Sequence, residues 1–329
     1  MIEIFGKIKY YIDRYKEIFM ATGLVISLDS GVYKILSEDN KEILLKARGK
    51  LRKTTIDKNS SFNKNTNKLS NKKDIYQVKL SPKVGDLVIY EKSDDTYYLD
   101  SILPRKNELI RPDIANVDQI LLVFSAKRPD MSYFLLDLFI TNLEFYKIRP
   151  IIIISKIDLC SDLELEDIRA NMLYYQNLGY TVFLNNSKEG VPSALIPLLE
   201  GKITVLSGQT GAGKSTFINA LIPGFKLETD DISLALNRGK HTTRRVHLYK
   251  YFNGLIGDTP GFSKLDLFCG KEELKDTFIE FKKCNCRFRD CKHLENSKDC
   301  MVREEVGKSI KESRYNNYIK MYEDLDKRR

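Results

Sequence analysis

"GQTGAGKST", residues 208 to 216, follows the apolar run "KITVLS" and opens the helix-like segment "KSTFINALI". Gly208-x4-Gly213-Lys214-Ser215 in a strand-to-helix setting is the pattern of a phosphate-binding loop. Small residues let successive backbone N–H groups close around phosphates, and the helix N-terminus adds a favourable field. The candidate cradle comprises Gly208, Gln209, Thr210, Gly211, Ala212, Gly213, Lys214, Ser215 and Thr216. Lys214 is expected to reach the β- and γ-phosphates in a catalytic role, and Ser215 to ligate Mg²⁺.

Asp258-Thr259-Pro260-Gly261 lies downstream, at the end of the next apolar run, "YFNGLIGDT". Asp258 can hold the Mg²⁺ shell there, and the Gly261 amide can touch the γ-phosphate. A turn with Pro and Gly ends many strands, so the cradle upstream is what gives this motif weight. "SKID", Ser155 to Asp158, follows the buried run "RPIIII". Asp158 can accept two hydrogen bonds from guanine N1 and N2, with the Lys156 stem along the ring; adenine lacks that donor pair. The same string also suits an ordinary helix start, with Asp158 in the first turn. "NSK", Asn186, Ser187 and Lys188, follows the next strand and can supply a backbone contact to the base oxygen. The similar "SAK" at 125 to 127 precedes the clamp strand and is set aside as a base contact.

Clamp, base-contact loop, cradle, "HTT" (His241, Thr242, Thr243) and "DTPG" run in that order. An ordinary GTPase has its cradle first, so the motif order here is circularly permuted. Around these motifs, apolar strands alternate with helical segments from about Arg111, the mark of a mainly parallel α/β sheet covered by helices. Before that, "GLVISLDSGVYKIL", "KEILLKA", "GDLVIYE" and "YYLDSIL" read as short strands without intervening helix, which suits a five-stranded β-barrel of the OB-fold type. The expected organisation is multidomain: an extension over 1–19, a barrel over 20–110 with an insertion near 51–79, a permuted GTPase domain over 111–267, and a small helical unit over 268–329.

Net charge is +9, unevenly placed. Residues 46 to 83 hold twelve Lys or Arg against Asp57 and Asp74. "DKNSSFNKNTNKLSNKKD" within that stretch has too few apolar groups to offset the entropy of ordering, and reads as a mobile loop. It is either a solvated surface segment or a basic arm that exchanges counterions for nucleic-acid phosphates. No apolar run approaches the roughly 18 residues of a membrane helix. The opening "MIEIFGKIKYYIDRYKEIFM" interleaves charge with apolar residues, reading as a short amphipathic helix rather than a secretory signal. The chain reads as an intracellular, cytoplasmic monomer with no membrane partner; an organellar stroma stays open.

Four of the six cysteines, Cys284, Cys286, Cys291 and Cys300, fall within 17 residues. In a chain without export features such clustering points to metal rather than disulfides. Cys286-x4-Cys291-x-His293-x6-Cys300 offers three thiolates and an imidazole, a closed set suited to one structural Zn²⁺.

The segments "ARGKLRK", "ILPRKNELIRPDIANVDQ", "VFSAKRPD", "GQTGAGKSTFINAL", "RGKHTT", "DTPGF", "CRFRDCKH" and "ESRYNNY", in this order, resemble the small-ribosomal-subunit-dependent GTPase family, RsgA/YjeQ. The resemblance implies an OB-fold, a permuted P-loop GTPase domain and a C-terminal zinc unit. It also implies GTP hydrolysis to GDP and phosphate, stimulated by the small ribosomal subunit and its rRNA late in that subunit's maturation. Phe262 stands where many GTPases carry a water-positioning Gln; the resemblance assigns that task to the His before "TT", here His241, with Thr242 or Thr243 closing on Mg²⁺. His241 as a surface or RNA-contacting residue is the plainer account. Ser155 replaces the family's usual Asn, which removes an amide that braces cradle and base. The His293–Cys300 spacing is one residue longer than usual, which leaves Cys284 as a competing ligand. Two other classes stay open: an RNA-binding scaffold with nucleotide as a structural ligand, and a P-loop ATPase or kinase, against which SKID argues.

Overall fold

The computed structural model describes residues 21–29, 31–47, 54–57, 75–78, 81–109, 112–186, 189–222, 246–258 and 266–327, with 54–57, 75–78 and 258 described by backbone alone. The helix expected over 1–20 and most of the basic insertion lie outside them. In chain order the strands are β1 (Ala21–Asp29), β2 (Val32–Ser37), β3 (Glu42–Ala47), β4 (Thr54–Asp57), β5 (Ile75–Val78), β6 (Leu87–Ser93), β7 (Thr96–Ile102) and β8 (Glu108–Leu109). They continue with β9 (Ile114–Ala115), β10 (Gln119–Ser125), β11 (Arg149–Ser155), β12 (Thr181–Leu184), β13 (Ile203–Gly208), β14 (His247–Tyr251) and β15 (Gly254–Asp258). The helices are α1 (Tyr133–Tyr146), α2 (Asp162–Asn177), α3 (Ile196–Leu199), α4 (Lys214–Leu221), α5 (Lys271–Leu274), α6 (Met301–Glu305) and α7 (Glu312–Asp326).

The chain divides into two compact units, the first drawn from residues 1–119, 194–206 and 228–260, the second from 120–193, 207–227 and 261–329. In the first, β1 pairs antiparallel with β2 and with β6, β2 with β3, and β6 with β7, while β3 runs parallel to β7. That closes a five-stranded barrel in the OB-type order expected from the strand pattern. Inward positions alternate along each strand, and Val25, Ile35, Leu45, Val88 and Leu99 are fully buried. The β1–β2 register shifts between Val25 and Ser27, an irregularity of the kind that bends a strand. The two ends of the basic insertion, β4 and β5, pair antiparallel as a ribbon. Their Thr, Ile, Tyr and Val residues suit strands, a signal masked in the sequence by the polar segment between them.

The same unit holds β13, parallel to β15, and the β14–β15 hairpin, whose outer strand meets β1 at Ser27 opposite His247. "YFNGLIGDT" is therefore not one strand: Phe252 and Asn253 turn the chain back from β14. The run "PRKNELIRPDIANV" acts as a polar lock on the barrel. Arg105 grips the fully buried Asp86 through Nε and Nη2 at 2.6 and 2.8 Å, and Nη1 reaches Glu108 at 2.9 Å. Asn116 donates to Gly85 O at 2.8 Å, and a Cβ on Gly85 would stand 2.0 Å from Ala115 O, so only glycine fits that turn.

In the second unit the strands lie in the order β12-β11-β10, with β11 and β12 parallel. β10 is buried throughout and β11 at every residue but Arg149, as near-continuous apolar runs should be when a sheet is covered on both faces. Ser132 caps α1, accepting from the Leu135 N–H, and Lys147 ends it in the left-handed region at φ 56°. Ser161 and Glu164 form a reciprocal capping box at the start of α2. After Phe268 the chain is mainly helical. Leu274, Phe278, Phe281, Val302, Tyr318 and Met321 pack into one core with Leu138 of α1. Among the described residues no helix is long and apolar enough to cross a membrane.

Candidate nucleotide site and cysteine cluster

The cradle leaves β13 through Gly208, whose φ of 128° only glycine adopts readily; a Cβ there would stand 2.1 Å from Val123 O. Gly211 and Gly213 are left-handed too, at 77° and 85°, and Gly213 caps α4. These three glycines bend the backbone into a concave turn at a helix N-terminus, the form an anion cradle needs. Lys214 folds over it, donating to Gln209 O at 2.8 Å and Gly208 O at 3.3 Å. Ser215 is half-buried in the first turn of α4, whereas Thr210 and Thr216 are exposed.

β11 delivers the clamp to the same place. Ser155 Oγ donates to Ala212 O at 2.5 Å and lies 3.2 Å from Phe124 O. Lys156, left-handed at φ 57°, donates from Nζ to Gly211 O at 2.7 Å and also to Arg128 O. Asp158 stands exposed in the 3-10 turn Ile157–Leu159 that follows. Ser155 lacks the amide that Asn would bring, yet the cradle side of the brace is kept. The hydroxyl itself reaches the cradle, because the two backbones approach closely enough for a side chain shorter than Asn. Asn185 N–H bonds to Ile154 O at 2.7 Å, which sets the start of the "NSK" loop beside the clamp strand, and Asn186 Nδ2 donates to Glu189 at 2.9 Å.

Several expected site residues lie outside the described ones: Ser187, Lys188, His241, Thr242, Thr243 and Gly261, together with the side chain of Asp258. The backbone of Asp258 ends β15 opposite His247 of β14.

The sequence reading missed the partners that polar residues around the site find, those of Gln209 in the cradle among them. Gln209 Nε2 donates to Asp130 O at 2.9 Å, and Lys127 pairs with both carboxylate oxygens of Glu164 at 2.6 and 2.7 Å. That hydrogen bond, with those from Ser161, holds the Glu164 carboxyl down at about 2. The Ser-x-x-Glu spacing of a capping box was the available signal for Glu164. Asn142 of α1 grips the chain leading into the C-terminal region, donating to Asp266 O at 3.1 Å and accepting from Phe268 N–H at 2.9 Å.

Deeper in the unit, the buried Arg314 of α7 donates from Nε to Glu280 at 2.5 Å and from Nη1 to Asp137 of α1. Tyr175 of α2 and Asn317 also donate to Asp137, at 2.7 and 2.6 Å. Nothing in the spacing of "ESRYNNY" reveals this network, since its partners lie 34 and 177 residues away.

The ligand atoms of Cys286, Cys291, His293 and Cys300 all lie within 4.8 Å of one another. His293 Nδ1 is 3.6 Å from Cys286 Sγ and 3.5 Å from Cys300 Sγ, and the two sulfurs are 3.9 Å apart. A tetrahedron with Zn–S of about 2.3 Å and Zn–N of about 2.0 Å has edges of about 3.8 Å between sulfurs and 3.5 Å between sulfur and nitrogen. The set fits zinc. Burial holds the His293 imidazolium down at about 4, so the ring is neutral with a lone pair to offer. Tyr315 donates to His293 O at 2.8 Å and Tyr318 to Lys292 O at 2.6 Å, which orients the ligand loop. Cys284 is not in the cluster, which corrects its expected competition as a ligand: the longer His293–Cys300 segment closes around the same four groups.

A guanine-type clamp that precedes the phosphate loop it braces, in a chain that also carries an OB-type barrel, defines a circularly permuted GTPase. The RsgA GTPase family model matches residues 102–268. This chain belongs to the RsgA GTPase family. It is 45% identical over 315 residues to the small ribosomal subunit biogenesis GTPase RsgA of Phytoplasma australiense, covering 94% of this chain and 97% of that one. It is 41% identical over 318 residues to the protein of the same name from Bacillus subtilis, covering 94% and 99%. Among solved structures it is similar to YloQ, described as a circularly permuted GTPase, with a TM-score of 0.75 and 36% identity over 96% of this chain and 98% of that one. YjeQ from Thermotoga maritima gives 0.77 and 33% identity over 94% and 100%. Members of this family are GTP hydrolases.

Proposed function

We propose that this protein binds GTP between the SKID clamp and the cradle, hydrolyses it to GDP and phosphate under stimulation by the small ribosomal subunit, and acts late in that subunit's maturation. The observation that carries this reading is the pair of bridges Ser155–Ala212 and Lys156–Gly211, which hold base clamp and phosphate loop together despite their inverted order. Asp158 selects guanine by accepting from its N1 and N2 groups, with Lys156 along the ring and the Asn186, Ser187, Lys188 loop at the base oxygen. Backbone N–H groups from Gly208 to Thr216 surround the phosphates, and Lys214 neutralises charge on the β- and γ-oxygens.

Ser215, Asp258 and either Thr242 or Thr243 would hold Mg²⁺, which supplies further charge neutralisation when bound. His241 orients the attacking water, the position after DTPG being the apolar Phe262. Cys286, Cys291, His293 and Cys300 would hold one structural Zn²⁺, which contributes folding energy to a small C-terminal core. The barrel, the basic insertion and the zinc-bearing region engage rRNA; an OB-type barrel and twelve cations between residues 46 and 83 support that assignment. The relatives' names place them in small-subunit biogenesis, which supports the same partner and a cytoplasmic location; the protein works there as a monomer.

The test is GTP turnover by the purified protein with and without purified small subunits, read as phosphate release over many cycles. Acceleration of at least tenfold is expected, with excess GDP but not ADP suppressing it. Equal rates in both conditions would refute the coupling to the subunit.

A further inference from the structure

The segment Ser125–Asp130, which opens with the "SAK" at 125 to 127 set aside as a base contact because it precedes the clamp strand, is tied to both halves of the nucleotide site. Three successive carbonyls each accept from a different group. Lys156 Nζ donates to Arg128 O, Ser125 Oγ to Pro129 O at 2.6 Å, and Gln209 Nε2 to Asp130 O at 2.9 Å. The Gln209 amide oxygen in turn faces the Ser125 N–H at 3.4 Å. The Ala126 N–H donates to Ser155 O at 2.9 Å, and Pro129 Cδ lies 3.4 Å from where a Cβ on Gly211 would stand. A free-standing surface turn closes its hydrogen bonds locally or on water. Here two of the three carbonyls are taken by the clamp and by the cradle.

Lys156 decides what this arrangement does. Its ammonium has one carbonyl partner on the cradle, Gly211, and one on this segment, Arg128. Losing the second frees the head group to swing about the first and takes the stem with it. Lys127 ties the segment at its other side to Glu164, which caps the helix that follows the Asp158 turn.

We propose that Ser125–Asp130 is a positioning element for guanine recognition, held in place by the side chains of Ser125 and Gln209, and that it keeps Lys156 and the Asp158 turn at one spacing from the phosphate loop. This rests on reading clamp and cradle as a guanine-nucleotide site. Neither side chain is assigned a contact with the nucleotide; both act through Lys156 and Ser155.

The test uses the full-length protein and displacement of ribose-labelled fluorescent GDP by unlabelled GDP and by IDP. IDP lacks the 2-amino group, so the ratio of the two affinities reads the guanine bond to Asp158 apart from the phosphate contacts. Gln209→Met keeps the side chain's length and removes its hydrogen bonds; Ser125→Ala removes the hydroxyl at little steric cost. Each is expected to reduce the preference for GDP over IDP at least fivefold, with the nucleotide-free melting temperature near that of the wild type. A preference unchanged in Gln209→Met overturns the proposal. So does equal weakening of GDP and IDP with a lowered melting temperature, since the segment would then only support the fold. Failure of the unmutated protein to bind GDP would overturn the site reading itself, and is seen before any variant is made.

Discussion

The hydroxyl of Ser155 donates to the carbonyl of Ala212 at 2.5 Å, joining the end of the clamp strand to the phosphate loop across 57 residues of sequence. Both partners are buried, so neither finds water as a substitute. Ser155→Ala removes the donor and leaves the Ala212 carbonyl short of a partner, a loss of about 1 kcal/mol for a typical internal hydrogen bond. If the bridge sets the spacing between base and phosphate contacts, that loss appears in nucleotide affinity: GDP should bind about fivefold more weakly by fluorescence titration. An affinity equal to wild type would show that the spacing is held by Lys156 alone.

Arg314 carries a different load. It faces Asp137 and Glu280 in a site closed to solvent, where Tyr175 and Asn317 complete the hydrogen bonding of Asp137. Arg314→Met removes the cation that faces both carboxylates and leaves the two acids buried together, which should destabilise the protein by about 3–5 kcal/mol. Urea unfolding followed by tyrosine fluorescence would show a correspondingly earlier transition. Adding Asp137→Asn, which keeps the shape and discharges one acid, should recover part of it. Because the network joins α1 and α2 to α7, a switch driven by the γ-phosphate cannot move the C-terminal helix relative to the clamp helix without breaking it.

The cysteine cluster predicts a stoichiometry. Elemental analysis of protein purified without chelator should give one zinc per chain. Cys291→Ser should lower that value and the melting temperature together, since Cys291 and Cys300 belong to the same core as Phe278 and Tyr318. Cys284→Ser should leave the zinc content at one, because Cys284 stands outside the four-membered set. Zinc loss in the Cys284 variant would reverse this ligand assignment.

What the sequence disclosed follows the range of the forces involved. β10 and β11 were legible as continuous apolar runs, the barrel strands as short alternating segments, and the cradle because its glycines answer to a local backbone constraint. The pairing of Ser27 with His247 was not, since no pattern in either strand names a partner 220 residues away in the chain. Nor was the turn at Phe252 and Asn253, where an apolar residue sits exposed at a hairpin tip. The Arg105–Asp86 and Arg314–Asp137 locks were not legible either: both arginines sit in polar stretches, "PRKNE" and "KESRYNNY", with nothing to mark them as buried. Such pairs are chosen by three-dimensional proximity, and one sequence carries no record of that choice.

The chain has three histidines, two of which are among the described residues. His293 belongs to the cysteine cluster, while His247 sits in β14 against Tyr249, with ring centroids 4.3 Å apart and its imidazolium disfavoured by burial. His241 lies outside the described residues; the proposed reaction assigns it the attacking water, as the family resemblance implies, since the apolar side chain of Phe262 offers no hydrogen bond. A positioned group of this kind contributes about 10²–10⁴-fold to a rate. His241→Ala should therefore lower subunit-stimulated turnover at saturating GTP by about a hundredfold, while the affinity for GDP, which has no γ-phosphate for the water to attack, changes little. The comparison that decides is single-turnover hydrolysis on the subunit beside GDP titration of the same preparation. A turnover equal to wild type would remove His241 from the reaction, whereas parallel losses in both would make it part of the nucleotide's binding site instead.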